Sequence, residues 1–199
     1  AIAVSAAAAD RLVFVTQPDS ITYGAALSTA LITRDSFGND STVGLGASKM
    51  VSLTVSTGTG SLLGSASQDI GTAAGNGIVS FSGLQVSMAG TGKQLSAGSS
   101  GLTSAVSSSF DVNQATVTGS ITANNKIYDG TTAATIASRV LSGALAGDDV
   151  SLSGGTASFA SKSVGTARTV TATRLTLSGA AAGNYQLAST SASTRSGST

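Results

Sequence analysis

Apolar residues fall on every second position along much of this chain, and that rhythm limits its fold more than any other feature. In Met50-Val51-Ser52-Leu53-Thr54-Val55-Ser56 the aliphatic side chains alternate with hydroxyls. A pleated strand sends successive side chains to opposite faces. Val51, Leu53 and Val55 therefore share one face, and Ser52, Thr54 and Ser56 the other. The same alternation runs through Arg11–Thr16, Gly77–Phe81, Thr103–Val106, Thr116–Thr118, Val150–Leu152 and Thr169–Thr173. β-Branched Val, Ile and Thr suit such a half-buried pleat. Turn formers separate the runs: Gln17-Pro18-Asp19-Ser20, Phe37-Gly38-Asn39-Asp40, Gly75-Asn76-Gly77, Asp129-Gly130 and Ala182-Gly183-Asn184. Strands at about 8–12-residue spacing with turns between them predict an all-β, antiparallel sandwich protein. Only Ala1–Ala9 and Ile136–Leu145 are helix candidates, and Ser142 and Gly143 hold the second to about two turns at most.

A chain of 199 residues suits two sandwiches of ~100 residues each. Ser107–Val112 reads as a closing strand, Asn113-Gln114-Ala115 as a short polar step, and Thr116 opens a new alternating run. The expected division is a linker or cut edge of a longer chain at residues 1–9, one Ig-like sandwich at 10–113 and a second at 114–199. Set in line, with strands of about 10 residues at ~3.3 Å each, they would form a rod of roughly 70–80 Å. The expected core of the first is Leu12, Phe14, Leu31, Val51, Leu53, Val55, Phe81, Leu95, Val106 and Phe110. For the second it is Ile121, Ile127, Ile136, Val150, Leu152, Phe159, Val170, Leu175, Leu177, Tyr185 and Leu187. A faint echo links Ala89–Leu95 to Ala182–Leu187, each expected as a strand, a Gly-containing turn and a strand starting at Gln-Leu.

Composition narrows the chemistry. There is no Cys and no His, so disulfides, thiolate or imidazole metal sites, Cys nucleophiles and His-based triads are excluded. A net charge of +1, with ten basic residues scattered singly, offers no field for nucleic acid or an anionic bilayer. No run approaches the ~20 apolar residues of a membrane span. Mean hydropathy of +0.29 with so little charge favours an ordered chain.

Local candidates remain. Asp148-Asp149 is a carboxylate pair, but neighbours on an extended strand face apart, so a solvated turn is the reading preferred. Asp35, Asn39 and Asp40 supply loop oxygens for a weak Ca²⁺, the one cofactor considered. Their spacing lacks an EF-hand's bidentate Glu, and a hairpin turn held by Asx hydrogen bonds is the default. Asn39-Asp40-Ser41 is formally a glycosylation sequon. Gly58–Gly64 imitates a phosphate loop without its Gly-Lys-Ser/Thr ending and is discarded. Ser48-Lys49 and Ser161-Lys162 are expected on strands, facing apart. Tyr23, Phe37, Tyr128 and Tyr185 are the rings that could serve as a binding platform.

Larger patterns bring families into view. Leu12-Val13-Phe14-Val15-Thr16-Gln17-Pro18, Asp35-Ser36-Phe37-Gly38-Asn39 and Val79-Ser80-Phe81-Ser82-Gly83-Leu84 resemble filamin-like bacterial Ig repeats. Ala123–Thr132, with Lys126-Ile127-Tyr128-Asp129-Gly130 at its centre, resembles the YDG-type repeat domain. Gly147–Val150, Ala157–Phe159, Ser163–Gly165 and Leu177–Gly179 followed by Gly183-Asn184-Tyr185 continue that likeness in order. The chain departs from it at Ala180–Ala182, where an Asp is usual, and in its hydroxyl-rich end, for which a frayed or truncated last strand is expected. The resemblance implies a stalk module of a large secreted or surface-attached bacterial adhesin-like protein, and so an extracellular location. The partners expected are neighbouring domains of the same chain, with host or environmental glycans and proteins reached through other domains. A monomer is expected, with neither nucleic-acid binding nor membrane insertion.

Two functions follow as expectations: a passive spacer projecting a distal binding domain and, as the alternative, a carbohydrate- or protein-binding module using end loops. No enzymatic role is expected. The sharper chemical alternative is a Lys–Asn isopeptide bond. A buried, neutral Lys126 would attack the Asn184 amide, with Asp129, Asp148 or Asp149 as the shared acid. Its plainer competitor is structural: Asp129-Gly130 as a tight turn and Tyr128 as a rim residue.

Overall fold

The computed structural model describes residues 3–196 of the chain. Ala1 and Ile2 of the expected linker, and residues 197–199 of the expected closing segment, lie outside the described residues. The protein is all-β. Its described residues contain one helical element, a single 3₁₀ turn at Ala182–Asn184. Two compact units divide at Asn113 and Gln114.

The first unit has β1 (Ala9–Thr16), β2 (Ile21–Thr22), β3 (Leu27–Asp35), β4 (Met50–Thr57) and β5 (Leu62–Leu63). It continues with β6 (Ser67–Asp69), β7 (Ile78–Val86), β8 (Gly90–Ser99), β9 (Leu102–Val106) and β10 (Phe110–Asn113). One path of pairing runs β2-β10-β8-β9-β1-β3-β7-β5, and β4 joins it through β8 and carries β6 on its other side. Period two explains the core. On β3 every odd position from Leu27 to Asp35 is buried, and on β8 the buried positions are Lys93, Leu95 and Ala97. Leu12, Phe14, Leu31 and Phe81 from β1, β3 and β7 join Val51, Leu53, Leu95 and Phe110 from β4, β8 and β10 in one apolar cluster. Val55 packs against it half-buried.

Two expectations fail here. Val106 is 57% exposed because the inward register falls on Ser107, whose hydroxyl accepts from the Leu95 amide at 2.9 Å. The expected turn at Ala89–Leu95 is absent, since Gly90–Ser99 is one continuous strand.

The second unit has β11 (Ala115–Ala123), β12 (Ala133–Ala134), β13 (Ile136–Ser142), β14 (Ser151–Phe159), β15 (Thr169–Ser178), β16 (Tyr185–Leu187) and β17 (Ala192–Arg195). They form a three-stranded sheet, β13-β11-β16, and a four-stranded sheet, β12-β14-β15-β17. Ile121 on β11 meets Leu152, Ala157, Val170, Ala172 and Leu175 of the other sheet in the buried cluster. Ile136–Ser142 is a strand and not the helix candidate of the sequence, because its residues pair across β11 from Ser142 to Ile136. The closing segment forms β17, four residues paired with β15 from Ala192 to Arg195, so it is ordered against the sheet and not frayed. Ile136, Phe159 and Leu187 are half-buried against the cluster, and Val150 and Leu177 are half-buried too. Ile127, expected inside, is 92% exposed.

Candidate functional site

The Ile127 error marks a site. β11 ends at Ala123, and the Asn124 amide still donates to the Thr135 carbonyl at 3.0 Å before the chain leaves the sheet. Lys126 then turns inward. Its ammonium donates to Thr131 Oγ1 at 2.6 Å and the Ala133 carbonyl at 2.9 Å, and it pairs with Asp129 Oδ1 at 2.8 Å. Asp129 Oδ1 also accepts from the Thr131 amide and hydroxyl, each at 2.9 Å. The hydrogen bond from Lys126, followed by that amide, holds the Asp129 carboxyl at about 2, below its ordinary 3.8. Gly130 closes the turn with φ +76, a conformation a side chain disfavours. With Lys126 taking the inner position, Ile127 and Tyr128 are left outward, and the Tyr128 ring is 64% exposed.

This loop and the β14–β15 hairpin enclose a cavity of about 580 Å³ at one end of the second unit. That volume is in the usual range of small-molecule sites, roughly 300–1,000 Å³. Lys126, Lys162 and Arg168 line it, and among the described lining residues there is no carboxylate. The rings of Tyr128 and Phe159 and the exposed Val164 add apolar surface. Thr131, Ser161, Ser163, Thr166 and Ser196 bring hydroxyl side chains. Arg168 donates to Ser161 Oγ. Ser161 and Lys162 lie in the hairpin loop and not on a strand as expected, and Ser48 and Lys49 likewise precede β4. Sequence reading missed Lys162 and Arg168 as partners because only the fold brings them to Lys126.

The other candidates are placed elsewhere. Lys126 and Asn184 sit at opposite ends of β11, since Tyr185 pairs with Ala115 and Lys126 follows Ala123. Nine strand residues at ~3.3 Å each separate them, so the structure does not bring the expected isopeptide partners together. Asp148 and Asp149 are at the Asn184 end and diverge: Asp148 accepts from the Tyr185 hydroxyl, Asp149 from the Ala180 amide at 2.9 Å. The Tyr185 hydroxyl itself accepts from the Leu145 amide at 3.0 Å. Tyr185 is therefore a buried structural ring and not a platform, which corrects the sequence reading. Tyr23 packs half-buried on the first core, whereas Phe37 is 82% exposed at a hairpin tip.

The expected calcium loop is occupied by its own amides. Asp35 is buried, and its carboxylate accepts from the Ala7, Phe37 and Asn39 amides at 3.0, 3.0 and 2.8 Å and from Asn39 Nδ2 at 3.0 Å. The Asn39 side chain, the largest influence, helps lower its pKa from 3.8 to about 2. Asp40 instead pairs outward with Arg34 at 2.9 Å. These oxygens do not converge, so the calcium reading is corrected to a hairpin staple.

Sequence reading also overlooked Lys93. It is 0% exposed, on the inward register of β8 with Leu95 and Ala97. Its ammonium donates to the Thr59 carbonyl at 2.5 Å, and burial pushes its pKa down. Gly58 (φ +89) makes room: a Cβ there would stand 3.0 Å from Lys93 Cγ. The signal was present in the sequence, two residues before Leu95 in an alternating run.

No curated protein matches the chain. The family model of the YDG domain matches residues 111–192, from the second residue of β10 to the first of β17. A YDG domain, with Tyr128-Asp129-Gly130 at the mouth of the end cavity, thus makes up most of the second unit.

Proposed function

We propose that this chain is a structural spacer segment of a large secreted or surface-attached bacterial protein of adhesin type, carrying a filamin-like Ig repeat ahead of its YDG domain. One observation carries the reading: two β units, each with its own buried aliphatic cluster, follow each other with only Gln114 between β10 and β11. A unit with its own hydrophobic core can fold by itself, as each module of a long array does. The YDG match and the hydroxyl-rich strand faces support it. Single-molecule stretching of the chain between handles tests it. Two discrete unfolding steps, each releasing one unit's length, are expected; smooth extension without steps would refute the spacer role.

A second reading is favoured by the end cavity. Its exposed ring, hydroxyls and cations suit a carbohydrate- or protein-binding module working through loops at one end of a sandwich.

A further inference from the structure

The charge balance of the end cavity indicates what it would take. Three cations line it and Asp129 neutralises one of them, Lys126. Lys162 is exposed and makes no hydrogen bond or ion pair among the described residues, and Arg168 uses one guanidinium nitrogen on Ser161. No carboxylate among the described lining residues offsets these two charges. They attract an anion, and the guanidinium fork matches a planar carboxylate or a sulfate. Arg168 is also held in place, with Gly165 beside its stem (a Cβ there would stand 3.3 Å from Arg168 Cδ), so little order is lost on binding.

The rest of the wall narrows the class. Five hydroxyl side chains and the Asn125 amide both donate and accept, which complements a polyol. The exposed Tyr128 ring beside them offers a flat apolar face for the C–H side of a sugar. We infer that the cavity behind Tyr128-Asp129-Gly130 binds an anionic saccharide, its acidic group held by Arg168 and Lys162 and its ring laid against Tyr128. This deepens the second reading above and rests on it.

Calorimetric titration and amide NMR of the whole chain test the proposal, with four probes: a galacturonic-acid trisaccharide, a sulfated disaccharide, a neutral galactose trisaccharide and a triaspartate peptide. The acidic sugars are expected to saturate one site and shift amides of residues 126–131 and 161–168. The uronate and sulfate arms identify which acid is preferred, and saturable binding of either supports the inference. Lys162→Gln and Arg168→Gln should each weaken binding about five- to tenfold. Lys162 is exposed and makes no hydrogen bond or ion pair among the described residues, so its variant keeps the fold even if Arg168→Gln loosens the hairpin. Equal binding of the neutral sugar would overturn the anion assignment and leave the second reading standing. Peptide binding without sugar binding would overturn the saccharide assignment, and no binding by any probe would remove both. Unchanged affinity in both variants would also refute it.

Discussion

Lys93→Met should make the first unit more stable. Methionine keeps the apolar stem that fills the space beside Gly58 and removes only the ammonium. The wild type holds that ammonium out of water with one carbonyl partner, Thr59 O at 2.5 Å. Desolvating an ammonium costs several kcal/mol, and a hydrogen bond from a charged donor returns about 1.5–3. Thr59 is exposed, so its carbonyl finds water once the partner is gone. The net gain in the variant at neutral pH is therefore about 1–2 kcal/mol, a Tm rise of roughly 5–10 °C for a unit of this size. Lys93→Ala is the control: it deletes the stem as well, and the void should cost about 2–4 kcal/mol.

The pH dependence tests the cause. Burial lowers the folded-state pKa of Lys93 below its ordinary 10.5. Between those two values the unfolded chain binds more protons, so wild-type stability rises with pH, by at most about 1.4 kcal/mol per unit. Below the folded pKa both states are charged and the burial penalty is complete; above 10.5 it is gone. Urea denaturation of both proteins from about pH 7 to about pH 11 should show the gap widest at neutral pH and closing as the amine loses its proton. A variant less stable at pH 7, with a gap that does not move with pH, would refute the reasoning.

Three other outcomes are expected. Asp35→Asn should destabilise the first unit at neutral pH, with the loss shrinking in acid. The wild-type carboxylate's contribution is complete above the ordinary 3.8 and disappears as pH falls through about 2, which acid titration of unfolding would follow. Tyr185→Phe leaves the Leu145 amide and the Asp148 carboxylate without the hydroxyl and should cost about 1–3 kcal/mol in thermal melts, whereas Tyr128→Phe at the exposed rim should change stability by less than about 0.5. Intact mass should equal that of the unmodified sequence, because Lys126 and Asn184 lie at opposite ends of β11; a mass lighter by one ammonia would show a bond this geometry excludes.

What could be read in advance was whatever period two dictates. Val51 and Leu53 are buried and Ser52 and Thr54 exposed because a strand offers no other arrangement. The reading failed where a polar group takes an inward position. Ser107 does so by accepting from Leu95, which turns Val106 out, and Lys126 does so through Asp129, Thr131 and Ala133, which turns Ile127 out. In both places hydropathy alone assigns the wrong neighbour, since the deciding energy is a hydrogen bond closed by a distant residue or a loop. Helix propensity misled at Ile136–Ser142 for a related reason: pairing with β11 outweighs the preferences of Ala, Arg and Leu. The end cavity was illegible because Lys126, Lys162 and Arg168 are neighbours only after β14 and β15 form their hairpin.

The acids of this chain follow a rule that the composition hinted at. All nine are Asp. Asp35, Asp69 and Asp129 each accept from the amide two residues on, at 3.0, 2.7 and 2.9 Å, closing their own turns. An aspartate reaches that amide with one methylene; the extra carbon of glutamate would carry the carboxylate past it. Asp111 and Asp149 pin more distant amides, those of Gly92 and Ala180. The cations work in the same way, Arg11 on the Asp35 and Ser36 carbonyls and Arg139 on that of Gly154. Charge in this protein is spent on backbone, and the described residues contain two ion pairs. Hydroxyls are left to hydrate the strand faces. Against that background Lys162 and Arg168 stand apart: they line a cavity with no acid among its described lining residues and leave most of their donors unused. Ligand chemistry is therefore sought there, and not at the Asp148-Asp149 corner, where Tyr185 and the Ala180 amide already engage both carboxylates.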